Sequence, residues 1–358
     1  MKRIFKISLL AFIFPVFTCA QKSETILLRN QVKFPLGASV DADMLLTNNR
    51  YRDVANKEFN SITAENHMKM YRIHPEQNRY DFSAADSIVD LALKNGKRVH
   101  GHTLVWFDGT ADWLKNFKGT DAAFSNEVKK HIQTVVKHYK GKITSWDVVN
   151  EYLSHNGDSV RDCIFSHRMG KDYMAQCFQW AHEADPKAIL IYNEYGMEWS
   201  EKKLQAMKSI ALDFLKRKIP IHGLGVQFHV KTFDKDEQIV RTLTELSQTG
   251  LKIHISEFDV MVNGHNQPNA VYTDSLKQLQ TEKFILIFNT YRKQVPVKQQ
   301  YGITFWNVSD NDTWLRKVYK INEWPLLFDD NYQRKLIYYK LCGIVKNEKR
   351  QTLRLKNL

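Results

Sequence analysis

Between residues 34 and 309, short apolar runs rich in β-branched residues alternate with longer stretches whose apolar positions recur at helical spacing. The runs occupy 34–40, 59–63, 97–106, 142–150, 188–195, 221–230, 251–260 and 301–309. Between them, SAADSIVDLALKNG (83–96) predicts a helix capped by Ser83 and stopped at Gly96, and KSIALDFLKRKI (208–219) predicts another. Strands alternating with helices in one undivided chain imply a parallel sheet covered by helices. Eight such repeats predict closure into an α/β fold of the single (β/α)8 TIM barrel type. An open doubly wound sheet is the alternative, but no Gly-rich phosphate loop opens any helix.

The apolar pattern fails at the strand ends. KITSWDVVNEYL (142–153) runs through Val148 and Val149 and then ends on an amide and a carboxylate, Asn150 and Glu151. A strand buried on both faces needs neither group for stability. In a barrel, however, those positions lie on the C-terminal rim, where active sites are built. The other rims carry Glu65, Asn66 and Lys69 after the second run, then His102 and Trp106 on the third. Asn193 and Tyr195 end the fifth, Gln227 and His229 the sixth, Glu257 and Asp259 the seventh, and Trp306 the eighth.

Composition changes this picture mainly at the two ends. Residues 1–20 carry Lys2, Arg3 and Lys6 ahead of an apolar core interrupted by Pro15, which resembles a secretory signal cleaved before Gln21. A rival reading makes Cys19 a lipid-anchored residue. Either way the chain is exported, to the periplasm or the extracellular space, and no stretch is long enough for a membrane span. Removing the three leader cations takes the formal charge from +13 to +10. The remaining excess is diffuse apart from a basic C-terminal tail at 345–358, so nucleic acid is not an expected partner. The catalytic domain is then 21–344. Cys163, Cys177 and Cys342 fit neither a disulfide framework nor a zinc pattern, and a Cys163–Cys177 bridge is not expected.

Glu151 and Glu257 stand on opposite strands with no metal-ligand set between them. Paired carboxylates of this kind suit glycoside hydrolysis, in which one group protonates the leaving oxygen and the other attacks or activates water. No G-x-S-x-G elbow offers a serine nucleophile. Residues i and i+2 of a strand share a face, so Glu257 pairs with Asp259 and Gln227 with His229. His229, bridging two carboxylates, would support an ionised nucleophile. Burial and the Glu257 charge should raise the pKa of Glu151. Asn307 and Asn311 match glycosylation acceptors, but their place in the cleft argues for unmodified side chains. Lys69 has a bland alternative as an ion pair with Glu65, and Trp113 and Trp180 read as packing residues.

Taken in order, FNSITAENHMK, VHGHTLVW, WDVVNE, LGVQFH, HISEFD, FWNVSDNDTW and PLLFDDNYQRKLIYY resemble glycoside hydrolase family 10, the endo-β-1,4-xylanase family, from about Phe34 to Tyr339. The resemblance implies a retaining double displacement on xylan or xylo-oligosaccharides, with Glu151 as acid/base, Glu257 as nucleophile and Asp259 with His229 in support. It implies no cofactor and no metal, and a monomer is expected. It also implies Asn150, Gln227, His102 and Trp106 around the sugar being cleaved, and Glu65, Asn66 and Lys69 on the next sugar toward the non-reducing end. Trp306 and Trp314 would roof the pocket, with Tyr195 and His229 also facing substrate. The chain departs from the family at Phe107-Asp108-Gly109, where His-Ser/Asn-Gln is usual, and at Asn193-Glu194-Tyr195, where Asn-Asp-Tyr is usual. These departures leave open a related retaining β-glycosidase with cello- or aryl-glycoside preference. A carbohydrate-binding protein without turnover is the rival of another class.

Overall fold

The computed structural model describes residues 26–356, so the predicted leader and Cys19 lie outside the described residues. Eight strands form the barrel: β1 (Leu36–Val40), β2 (Ser61–Ala64), β3 (Arg98–Gly101), β4 (Ser145–Asn150), β5 (Ile189–Glu194), β6 (Gly223–Val226), β7 (Lys252–Met261) and β8 (Gln300–Phe305). Each pairs in parallel with the next, and β8 pairs with both β7 and β1, which closes the sheet. The open doubly wound alternative is therefore excluded. A helix follows each strand: α1 (Asn49–Glu58), α2 (Ser83–Lys94), α3 (Asp121–His138), α4 (Tyr173–Ala184), α5 (Glu201–Lys216), α6 (Asp236–Ser247), α7 (Asp274–Gln294) and α8 (Leu336–Lys356). The last of these continues into the segment expected as a tail.

The helices form where the apolar stripe predicts. In α2, Ala85, Ile88, Val89 and Ala92 are buried at spacings of three and four, one face of a 3.6-residue helix. The expected Ser83 cap is corrected: the N-cap position is Phe82, and Asp81 Oδ1 accepts the Ser83 N–H at 3.1 Å. Asp81 can do this because it precedes the helix, whereas Ser83 is already inside it.

Two predicted strands are interrupted near the rim. The third run breaks after Gly101 and resumes as Val105–Trp106. The sixth breaks at Phe228, whose φ of 56° is left-handed, and resumes as His229–Lys231. Along β7 the register against β8 slips between Ile255 and Phe258, a bulge beside Glu257. Inside the barrel the packing is partly polar. Arg98 closes the end opposite the rim, donating to Ser61 Oγ at 3.0 Å and to the Tyr301 carbonyl at 2.7 Å. Cys163, Cys177 and Cys342 are free thiols. Among the described residues no helix is long and apolar enough to cross a membrane.

Candidate active site

The rim opens onto a cavity of about 840 Å³, and every predicted site residue except Asn193 and Asp259 lines it. Glu151 is the first residue past β4, at a left-handed φ of 57°. Non-glycine residues adopt this conformation only where surroundings enforce it. Here the Glu151 N–H donates to the Asn193 carbonyl at 2.9 Å, and Arg161 Nε donates to the Glu151 carbonyl at 2.9 Å. The reversal ends the strand and turns the carboxyl into the cavity.

A relay of amides joins the two glutamates. Asn193 Nδ2 donates to Glu257 Oε1 and to Asn150 Oδ1, both at 2.8 Å. Gln227 Nε2 donates to the same Asn150 oxygen and to Glu151 Oε1, both at 3.2 Å. Asn193 is oriented from behind by Ser256 Oγ, which donates to its Oδ1 at 2.6 Å. The relay needs Gly225 beneath it, because a Cβ there would collide with Asn193 Oδ1.

Glu257 sits in the opposite electrostatic setting from Glu151. Burial pushes the Glu257 carboxyl up, but a hydrogen bond from His229 and the charges of His102, His229 and Lys69 outweigh it, and the net shift is down. His229 Nε2 lies 3.5 Å from Glu257 Oε2 and its Nδ1 lies 2.8 Å from Asp259 Oδ2. Burial alone would lower the His229 pKa; Asp259 first and Glu257 next raise it well above the usual imidazole value. Asp259 is fully buried behind the histidine, and Trp314 Nε1 donates to it at 2.9 Å. Asp259 thus meets the same imidazole as Glu257, as the strand alternation predicted, but it stands behind the ring and does not itself line the cavity. Gln227 and His229 do both line the cavity, although the left-handed Phe228 separates them.

For Glu151, burial pushes the carboxyl up and the Glu194 charge adds to it. A Gln227 hydrogen bond opposes these, and the Glu257 charge contributes less than Glu194 does. Burial and the Glu257 charge thus both act in the expected direction, and Glu194 is a further charge beyond the expected one. Glu194 lies at the end of β5, fully buried, paired with Lys203 Nζ at 2.9 Å and holding the Leu153 N–H and the Tyr192 hydroxyl at 2.9 Å.

On the far side of the cleft, Lys69 Nζ donates to Asn66 Oδ1 at 2.9 Å and stands 4.7 Å above the Trp106 ring centroid. Glu65 instead accepts from Asn307 Nδ2 at 2.7 Å, so the proposed Lys69–Glu65 pair does not form. Asn307 also accepts the Trp314 N–H at 2.8 Å and is buried, which leaves no room for a glycan. His102 is aimed by Asp147, 2.9 Å from its Nδ1, and its ring meets Trp306 edge-on at 5.1 Å. Trp113 and Trp180 pack partly buried against the core, as expected.

The departure at Phe107 has a structural use. Arg161 stacks on the Phe107 ring at 4.3 Å, donates to the Tyr195 hydroxyl at 3.2 Å and brings its guanidinium to 3.9 Å from Glu151 Oε2. Arg161, Lys203, His155, Glu198 and Trp199 carry no signal in the chain that separates them from solvated loop or helix-surface residues. Only their positions in space bring them to this site. Among the described residues, no cluster of three or more His, Cys, Asp or Glu side chains could hold a metal ion.

A family model described as "Glycosyl hydrolase family 10" matches residues 27–344. A relative named "Beta-1,4-xylanase" from Dictyoglomus thermophilum is 37% identical over 86% of this chain and 87% of its own length. "Endo-1,4-beta-xylanase B" of Paenibacillus barcinonensis is 35% identical over 87% of this chain and 95% of its own. Among solved structures, xylanase 10B from Thermotoga petrophila in complex with xylobiose superposes with a TM-score of 0.84 at 32% identity, covering 91% of this chain and 98% of that one.

Proposed function

The chain belongs to glycosyl hydrolase family 10, and from that premise we propose how its own residues carry out the reaction of a retaining endo-β-1,4-xylanase. It is a glycoside hydrolase, and internal β-1,4-xylosidic bonds are its substrate. One observation carries the assignment of roles. Two carboxyls open onto one cavity, one pushed up by burial and a neighbouring carboxylate, the other held down by His229, His102 and Lys69. Titratable groups driven apart in this way serve as acid and nucleophile.

In the first step the ionised Glu257 attacks the anomeric carbon while Glu151 gives its proton to the leaving glycosidic oxygen, and the bond to that oxygen breaks. A glycosyl ester on Glu257 results, and Glu151 is left as a carboxylate. With the Glu257 charge consumed, Glu151 accepts a proton from water, whose oxygen attacks the same carbon and releases Glu257. Two inversions give net retention. Asn150 is held through its oxygen by Asn193 and Gln227, and its Nδ2, 3.4 Å from Glu151 Oε1, is the donor we assign to the 2-hydroxyl of the reacting sugar. His102, Trp306 and Trp314 enclose that sugar, and Glu65, Asn66 and Lys69 hold the next one on the non-reducing side. His229, locked between Asp259 and Glu257, orients the nucleophile.

Trapping with a 2-fluoro-xylobioside followed by peptide mapping tests the scheme. A covalent adduct on the Glu257 peptide is expected; an adduct on Glu151, or inactivation without an adduct, refutes it. The leader at 1–20 is proposed to export the enzyme, with 21–344 as the catalytic domain. A mature N-terminus at Gln21 is the expected mass, whereas a lipid-modified Cys19 would establish the anchored form instead.

A further inference from the structure

We propose that Trp199, with His155 beside Tyr195, forms an aromatic platform for the second sugar unit on the leaving-group side of the cleaved bond. The proposal rests on the xylanase reading and adds a specificity residue to it. Trp199 is 44% exposed yet lines the same cavity as the two glutamates. It lies in the turn that follows β5, and its indole packs down onto Gly196. A Cβ at Gly196 would come within 2.8 Å of Trp199 Cζ2 and 3.1 Å of Lys203 Cδ, and the glycine adopts φ +91°. The turn therefore depends on a glycine to bring the indole against the cleft wall.

His155 connects this ring to the inner part of the site. Its ring centroid is 5.9 Å from that of Tyr195 and 5.5 Å from that of Trp199, and its Nδ1 lies 3.0 Å from the Tyr195 hydroxyl. Tyr195 in turn touches Arg161, which stands 3.9 Å from Glu151 Oε2. The three rings thus lead outward from the proton donor. They follow β4 and β5, two and three strands round the barrel from the β2 loop that carries Glu65, Asn66 and Lys69; with that loop on the non-reducing side, the rings fall to the leaving-group side. Glu198 adds a carboxyl to this wall, one oxygen accepting the Gly196 N–H at 3.1 Å. Flat apolar faces bordered by a hydroxyl acceptor match a pyranose, whose C–H face stacks while its equatorial hydroxyls seek polar partners.

The test compares Trp199→Ala and Trp199→Phe with the wild type on reducing-end-labelled xylohexaose and on an aryl β-xylobioside, which has no second sugar beyond the bond that breaks. For Trp199→Ala, kcat/KM on the hexaose should fall about tenfold further than on the aryl glycoside. Label should move from xylobiose into xylose, and Trp199→Phe should recover most of both effects. Matching thermal unfolding midpoints for the three proteins would tie the change to binding. An unaltered ratio and product pattern in an active enzyme overturns the platform alone. A wild type inert on both substrates overturns the platform together with the xylanase reading.

Discussion

Replacing Glu194 by Gln should unsettle both stability and the proton donor, in directions set by the geometry. The Glu194 and Lys203 side chains are fully buried and 2.9 Å apart. Glutamine keeps the shape but removes the counter-charge, leaving an ammonium in the protein interior. Breaking a buried pair from one side in this way costs about 3–5 kcal/mol. The same change removes the charge that follows burial as the cause of Glu151's raised pKa. The unpaired Lys203 acts in the same sense by favouring an ionised Glu151. The pKa of Glu151 should therefore fall, and the alkaline limb of kcat/KM should move to lower pH. A shift of one unit would cost about tenfold in rate above the limb, equivalent to about 1.4 kcal/mol. Urea unfolding measures the first effect, and a pH profile on an aryl xylobioside with a poor leaving group measures the second. An alkaline limb that stays in place or moves upward would refute the electrostatic reasoning, and a loss of stability under about 1 kcal/mol would refute the buried-pair estimate.

Glu257→Ala should reduce turnover by at least about four orders of magnitude, in line with removal of other catalytic nucleophiles. Azide should partly restore it and give the inverted glycosyl azide; a retained product would exchange the roles of the two glutamates. His229→Asn removes the strongest influence opposing burial at Glu257, so the acidic limb of kcat/KM should move to higher pH, and an unmoved limb would detach the histidine from the nucleophile. Burial pushes the Glu198 carboxyl up to about 7. A group raised in the folded state contributes stability that is full below its unfolded value of about 4.5 and is lost as pH rises through about 7. Glu198→Gln should therefore match the wild type near pH 4 and gain up to about 3 kcal/mol by pH 8 in urea unfolding. A difference independent of pH would show that the carboxyl is not the source.

The strand count, the alternation with helices and the closed barrel were legible along the chain because parallel strands are buried on both faces and read as continuous apolar runs. The glutamates were legible for the complementary reason: Asn150, Glu151 and Glu257 interrupt those runs where a buried strand has no use for them. The resemblance to a family supplied roles for residues such as Lys69 and Trp314 that patterning alone leaves ambiguous. The features that resisted reading all depend on long-range contact or on backbone geometry. Lys203, in the first turn of α5, looks like any solvated helix lysine until Glu194 is seen to lie against it. Arg161 and Trp199 sit in loops without periodicity, and their use follows from Phe107 and Gly196 being close in space. That Asp259 lies behind the His229 ring rather than on the cavity wall, and that Asp81 rather than Ser83 serves the start of α2, depend on which side chains stand next to one another once folded. The order of influences on Glu151 depends on burial and on distances to charges from different strands, quantities that exist only once the barrel has closed.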